Sequence, residues 1–287
     1  MALWISDLIV VILLAMYVFF TERSKKGTWE GGRWQQEVQD WLKLLRLCAP
    51  CCLTTCLEWW CIEILVLLTG RLSNAKQAVG IIAIVLNFDY LLYSVMLSLA
   101  TCASTRVSNQ LGANQAGNAY RSAYISIGLS FVIGCIGSLL MVATRGKWGA
   151  IYSRSEEIKR GVKKMMLLMA VVEVVNFPLT ACGGIVRGTA RPWLSMYANL
   201  GGFYLLALPL GVVLAFKAGL GLGGLLIGFL AGMVACLALL LVFVTRIDWN
   251  GEVVKAKILA SDMPEDLEKE EHHKNLERAA ANHDVVC

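Results

Sequence analysis

Apolar runs of about twenty residues recur along this chain, near 3–20, 48–69, 79–103, 121–143, 165–186, 194–216 and 220–244. About twenty helical residues cross a hydrocarbon core. Within that core, backbone N–H and C=O groups have no water to bond. They must be satisfied inside a helix or a closed barrel. These runs are continuously apolar and do not alternate, so the expected fold is all-α: a polytopic membrane protein with about seven transmembrane helices. Composition agrees. The 287 residues are 57% hydrophobic and 16% charged, against about 25% charged in soluble domains.

The formal charge of +5 is small. Its basic residues sit in short loops between apolar runs, which fits membrane orientation better than nucleic-acid binding. Ten cysteines do not make a disulfide scaffold here. Most lie inside apolar runs, where a cysteine behaves as a small hydrophobe. Residues 1–20 lack the leading basic residues and cleavage site of a signal peptide. Arg23, Lys25 and Lys26 follow the run instead, which marks a retained span with a cytosolic C-terminal end. Alternation then places 21–47, 104–120, 187–193 and 246–287 in the cytosol. The basic run Lys159–Lys164 opposes this orientation and is read as the interfacial start of the fifth span, with snorkelling side chains.

Within 21–47, Trp34, Val38, Trp41, Leu42 and Leu45 recur at helical spacing beside Lys43 and Arg46. That pattern predicts an interfacial amphipathic helix. The domain reading is 1–20 as one helix, 21–47 as a cytosolic linker, 48–245 as a lobe of six transmembrane helices, and 246–287 as a charged cytosolic tail. Residues 262–278 are charged all round and carry no apolar stripe.

Three motifs point to chemistry that their context does not support. Gly219, Gly221 and Gly224 match the dinucleotide fingerprint as a string, but that motif requires a preceding strand. Gly224, Gly228 and Gly232 instead place small residues on one helix face for close helix contact. Cys48 and Cys51 have redox-motif spacing but enter a membrane span rather than a βαβ unit. His272, His273 and His283 lack nearby cysteines at zinc-ligand spacing. No catalytic constellation, metal site or cofactor motif stands out, so the chain is not expected to be an enzyme.

The polar residues within the spans carry the functional signal. A charge at the bilayer centre costs at least about 2.5–3.5 kcal/mol, so intramembrane acids are candidates for proton or substrate binding. Glu58 lies about ten residues inside the second span. Glu63 falls about 140° further round the helix and is not expected to share its site. Asp89 lies in the third span. Glu173 and Asn176 share a face of the fifth, and Pro178 follows in the same span, where it frees a carbonyl and bends the helix. An acid that can hold either a proton or a cation is the minimum chemistry of a proton/cation exchanger.

Several stretches then resemble one family. The segments LEWW with the following EI (Leu57 to Ile64), STRVSNQLGA (Ser104 to Ala113), GGIVRGTARP (Gly183 to Pro192), NLGGFYLLALP (Asn199 to Pro209) and TRIDW (Thr245 to Trp249) look like signatures of plant multidrug and toxic compound extrusion (MATE) proteins. Order and spacing fit over roughly residues 1–250. The VRGTARP stretch and Glu173 resemble the plant detoxification branch that includes hormone- and organ-growth-related members.

The resemblance implies a twelve-helix, two-lobe antiporter with a V-shaped cleft that opens alternately to either side. Residues 48–245 would be the C-terminal lobe and 3–20 the last helix of the N-terminal lobe. The family's acid in the first helix of the C-terminal lobe matches Glu58. The second acid of that lobe aligns with Asn176, and Glu173 would supply the carboxylate one turn earlier. Asn176, Asn199 and Tyr204 would line the cavity. Gln110 stands where the signature has glutamate, Met96 replaces a proline, and Asp89 lies outside the pattern. The implied function is proton-coupled export of organic cations or other small metabolites and xenobiotics from a multi-pass protein of the plasma, vacuolar or endosomal membrane. Its partners would be the small-molecule substrate, protons and the lipid bilayer, with no nucleic acid. The family's first five helices have no counterpart here, so this chain is not expected to transport alone. The alternative function is a non-transporting half-transporter that acts by binding another membrane protein or a missing N-terminal lobe.

Overall fold

A computed structural model describes residues 2–24 and 38–261. The chain divides into two compact units, Met1–Arg46 and Leu47–Cys287. The first holds helix α1, Ala2–Ser24, whose apolar stretch is Leu8–Thr21. Helix α2, Val38–Thr69, crosses the division and becomes membrane-compatible from Cys48 onward.

The expected interfacial helix falls partly outside the described residues, since Trp34 is among those not described. From Val38 the chain is helical without a break into α2. Trp41, Leu42 and Leu45 therefore sit on the first turns of a long helix, and all three are exposed.

The second unit continues with α3 (Ala75–Gly112), α4 (Ala116–Tyr152), α5 (Glu156–Gly188), α6 (Pro192–Lys217), α7 (Gly221–Thr245) and α8 (Trp249–Ser261). Counting the Cys48–Thr69 part of α2, six helices among the described residues are long and apolar enough to cross a membrane. Short turns join them, so neighbours run antiparallel. Turns at 70–74, 153–155 and 218–220 lie at one end of the unit. Those at 113–115, 189–191 and 246–248 lie at the other. The cytosolic loop expected over 104–120 shrinks to a three-residue turn, because α3 extends to Gly112 and α4 starts at Ala116. The polar segment Ser104–Gly112 keeps its backbone bonded by staying helical.

Helix α5 is the centre of this unit. It packs against α3, α4 and α7, and 67% of its membrane-length window is buried. Small residues let its neighbours approach. A Cβ on Gly188 would come within 2.8 Å of the Ser104 carbonyl oxygen of α3, and Gly184 abuts Ala100 on the same helix. Across the other face, a Cβ on Gly134 of α4 would meet Phe177 at 2.9 Å.

The glycine stripe of α7 serves the packing expected of it. Gly224 lies against Leu214 and Ala215, Gly228 against Ala207 and Gly211, and Gly232 against Gly202 and Ala207, all on α6. Helix α6 widens into π-helical turns over Leu200–Ala207 and Val213–Lys217. Pro209 lies between the two widened stretches and removes one N–H from the ladder.

The segment after Arg246 is not wholly a free charged tail. Its first part is α8, which packs against α3 and α4. Val253 is buried, and Trp249 meets Tyr120 edge-on at 6.2 Å between ring centroids. Arg191, in the α5–α6 turn, forms an ion pair with the buried Glu252, and Lys255 adds a second at 3.1 Å. The Arg191 guanidinium also lies 6.0 Å from the Phe243 ring centroid. Burial raises the Glu252 carboxyl above its usual range against the opposing pull of Arg191. A raised folded-state value means that Glu252 contributes most to docking at low pH and that this contribution is lost as pH rises through the folded value. Residues 262–287, which include the charged stretch and all three histidines, lie outside the described residues.

Two outcomes follow from this packing. Gly228→Leu drives a side chain into the α6 backbone and costs about 1–3 kcal/mol or more. Gly128 has open space around it, so Gly128→Ala is neutral or gains up to about 1 kcal/mol from helix propensity. Thermal denaturation midpoints in detergent should fall for the first and hold or rise for the second. At the other end of the unit, Arg191→Ala leaves Glu252 buried without its main partner. The cost is about 2 kcal/mol, less than for a fully buried pair because the Arg191 side chain is 29% exposed. Limited trypsin digestion reads this as faster cleavage at Lys255 and Lys257, and adding Glu252→Gln should recover part of the loss.

Candidate functional site

Four helical stripes meet inside the second unit. Glu58, Ile62, Leu65 and Thr69 come from α2, and Ile82, Leu86, Asp89 and Tyr93 from α3. Helix α5 gives Met169 and Asn176, and α7 gives Leu222, Leu225, Leu226 and Phe229. The spacings of three, four or seven residues put each set on one helix face. Between them lies a narrow cavity of about 30 Å³, room for a water or two. Its polar end is formed by Glu58, Asp89 and Asn176.

Glu173 stands one turn before Asn176 on α5 and is 1% exposed. Asp89 is 6% exposed and Asn176 7%, so α5 turns Glu173 and Asn176 toward the interior. Glu58 is half-buried, at the rim of the cluster. The Asp89 and Glu173 carboxyl groups face each other within hydrogen-bonding reach, and Glu58 is in electrostatic range of both. Neither Glu173 oxygen meets a donor among the described residues, and the Asn176 side-chain oxygen is equally unpartnered. Two carboxylates offer only acceptors. A proton or a cation is what can lie between them. Among the described residues no lysine or arginine forms an ion pair with Glu58, Asp89 or Glu173. Arg187 lies only in longer electrostatic range of Glu58.

Asn199 and Tyr204, expected to line the cavity, do not lie on its wall. They tie α6 to the backbone of α2. Asn199 donates from Nδ2 to the Thr54 carbonyl at 3.1 Å, and the Tyr204 hydroxyl donates to the Leu57 carbonyl at 3.1 Å. In an ordinary α-helix, residues five apart point about 140° away from each other. The i→i+5 turns of Leu200–Ala207 bring them back toward one face, which is why both reach α2. Glu63 is exposed, away from the cluster.

Asp89 is the residue whose importance the family pattern did not announce. Its signal was present as the α3 stripe Ile82, Leu86, Asp89 and Tyr93, which places the acid on the same face as buried apolar residues. Trp59 extends this wall, stacking on Tyr90 at 5.7 Å and meeting Tyr93 edge-on at 5.2 Å.

Known proteins share this arrangement of helices. The MatE family profile matches residues 50–213. The chain is 62% identical over 261 residues to the protein DETOXIFICATION 56 of Arabidopsis thaliana, covering 90% of this chain and 53% of that protein. It is 35% identical to DETOXIFICATION 51 of the same plant, over 89% of this chain and 48% of the relative. The crystal structure of the eukaryotic MATE transporter AtDTX14 superposes with a TM-score of 0.76 at 28% identity, over 85% of this chain and 55% of that one. The chain thus spans about half the length of the curated relatives it matches. Six membrane-length helices, the family profile and these relatives together show that the chain is a multi-pass membrane protein belonging to the MATE family of transporters.

Proposed function

We propose that this lobe is the proton- and cation-handling part of a proton-coupled exporter of organic cations or other small metabolites. The observation that carries the reading is the meeting of three acids from three helices, Glu58 and Asp89 on the wall of one narrow cavity and Glu173 buried behind it against Asp89, with no lysine or arginine among the described residues bonded to them. In hydrocarbon such a cluster is stable only when protons or cations balance it. Each proton bound therefore removes one charge that a cationic substrate would need.

The geometry supports a division of labour. The cavity admits water and protons and is too small for an organic cation. Asp89 and Glu173 are buried and face each other, so they hold the proton. Glu58 is half-buried on the cavity wall, where its exposed part is within reach of a larger cation. Asn176 offers an unpartnered oxygen to either species. Alternating access in two-bundle carriers comes from one bundle rocking against another around such a site.

The reading is tested in a full-length two-lobe transporter carrying this lobe, assayed in vesicles with an imposed pH gradient. Glu58→Gln and Glu173→Gln keep shape and remove titratable charge, so gradient-driven export should fall by about 10² or more, the usual scale for removing an essential proton carrier, with membrane delivery unchanged. Tyr204→Phe removes only an inter-helix hydrogen bond worth about 1 kcal/mol and should leave the coupling intact. Wild-type export in both glutamine variants overturns the assignment.

A further inference from the structure

At the end of the unit that carries the 70–74 and 218–220 turns, an open vestibule of about 520 Å³ enters the lobe. Ser73, Asn74 and Gln77 give it a polar wall, and no charged side chain among the described residues lines it. The acid cavity runs toward the same end, because its wall extends along α2 from Glu58 to Thr69, a rise of about 16 Å. The two spaces nearly meet. Ile81 lines the vestibule and Ile82 the cavity, while Met165 lines the vestibule and Met169, one turn on, the cavity. Leu222 belongs to both walls.

From this we infer that the lobe contains its own water and proton path, leading from the vestibule past Leu222 to the carboxyl cluster, with Leu222 as the apolar plug. The path rests on the reading of Glu58, Asp89 and Glu173 as the proton site. It differs from direct entry at the half-exposed Glu58, because it crosses the interior of the bundle between α2, α3, α5 and α7.

The plug is built to move. Leu222 lies in the first turn of α7, preceded by Gly219 at φ +71° and Gly221 at φ +54° and followed by Gly223. Both positive φ values lie in the region glycine enters freely. A Cβ on Gly219 or Gly221 would meet nothing within 4 Å, and one on Gly223 would meet only Met165 Cε at 4.0 Å. Glycines with open space around them thus flank Leu222 on one side, whereas Gly224, on the other side, is clamped against α6. A swing of this one side chain joins a vestibule of about 520 Å³ to a cavity of about 30 Å³. Water passes such a constriction and bulky solutes do not. Just inside the plug lies Thr69, whose hydroxyl bonds back to the Leu65 carbonyl at 2.8 Å, and from there Leu65, Ile62, Leu86 and Phe229 give an apolar lining toward the acids. Dry walls and a brief opening confine proton entry to the moments when the plug is displaced.

Thr69 marks the path just inside the plug and is 1% exposed, so a thiol there reports opening. The experiment places Thr69→Cys in the full chain in sealed vesicles of known sidedness. It applies 2-aminoethyl methanethiosulfonate to one face, traps free cysteine on the other to consume leaked reagent, and reads the mass of the peptide holding residue 69. Slow modification is expected from the vestibule face. Adding Leu222→Gly should speed it by about tenfold or more, and adding Leu222→Trp should slow it by a similar factor, since labelling follows the population of the open form. Modification solely from the opposite face, equal rates in the Leu222 and Leu222→Gly backgrounds, or no modification in either background overturns the path. If the tryptophan variant fails to fold, the glycine variant still decides. Labelling needs no titrating acid. A failed path therefore leaves the proton-site reading standing, and wild-type export by both Glu58→Gln and Glu173→Gln removes that reading whatever the labelling shows.

Discussion

A carboxyl group buried among hydrocarbon has no water to complete its hydrogen bonds, and here two of them face each other. Glu173 sits on the most buried helix of the lobe, and neither of its oxygens meets a donor among the described residues. Asp89 approaches from α3 and brings only acceptors of its own. Removing one acid from such a pair frees the other to ionise, and adding a cation displaces the proton. Position on α5 keeps this placement, because the helix is held by α3, α4 and α7 and cannot turn the acid away.

The rigidity that holds the acids comes from residues without side chains. Without a hydrophobic force between helices in lipid, close backbone approach and dispersion contacts carry association. Gly184 and Gly188 bring α5 against α3, and Gly224, Gly228 and Gly232 bring α7 against α6. Helix α6 in turn uses its widened turns to hold α2 by Asn199 and Tyr204. Glu58 is carried one residue beyond the Leu57 carbonyl that Tyr204 grips. These two residues therefore hold α2 and do not line the cavity.

How much of this was legible in the sequence depends on the range of the interaction concerned. Spans are local: continuous apolar runs and spanning length suffice, and α2 to α7 follow them. Intramembrane acids are local too, so Glu58, Glu173 and Asn176 stand out without a structure. Which acids meet is a matter of how α3 lies against α5, and one sequence does not state the register between helices. Asp89 was visible as a member of an apolar stripe, yet its pairing with Glu173 was not. The π turns escaped because i→i+5 bonding leaves no spacing signature that residue pattern alone separates from an α-helix, and with them escaped the true contacts of Asn199 and Tyr204. Helix α8 carried a signal in Trp249, Val253 and Ala256 at helical spacing, masked by the charges that follow it.

The place of α8 bears on how the lobe behaves at the end opposite the vestibule. Arg191 belongs to the turn between α5, which carries Glu173, and α6, which grips α2. Its ion pair with Glu252 fastens that turn to α8, which in turn packs on α3 and α4. One end of the bundle is thus cross-braced through a buried charge pair, whereas the other end has glycine turns around Leu222 and an open vestibule. Two packed bundles that rock about a central site need each bundle to move as a body. If this lobe moves so, as the proposed function requires, the braced end keeps the acids in register. On the proposed path, opening at the other end is confined to a single side chain, so that a proton enters without loosening the helices that carry the acids.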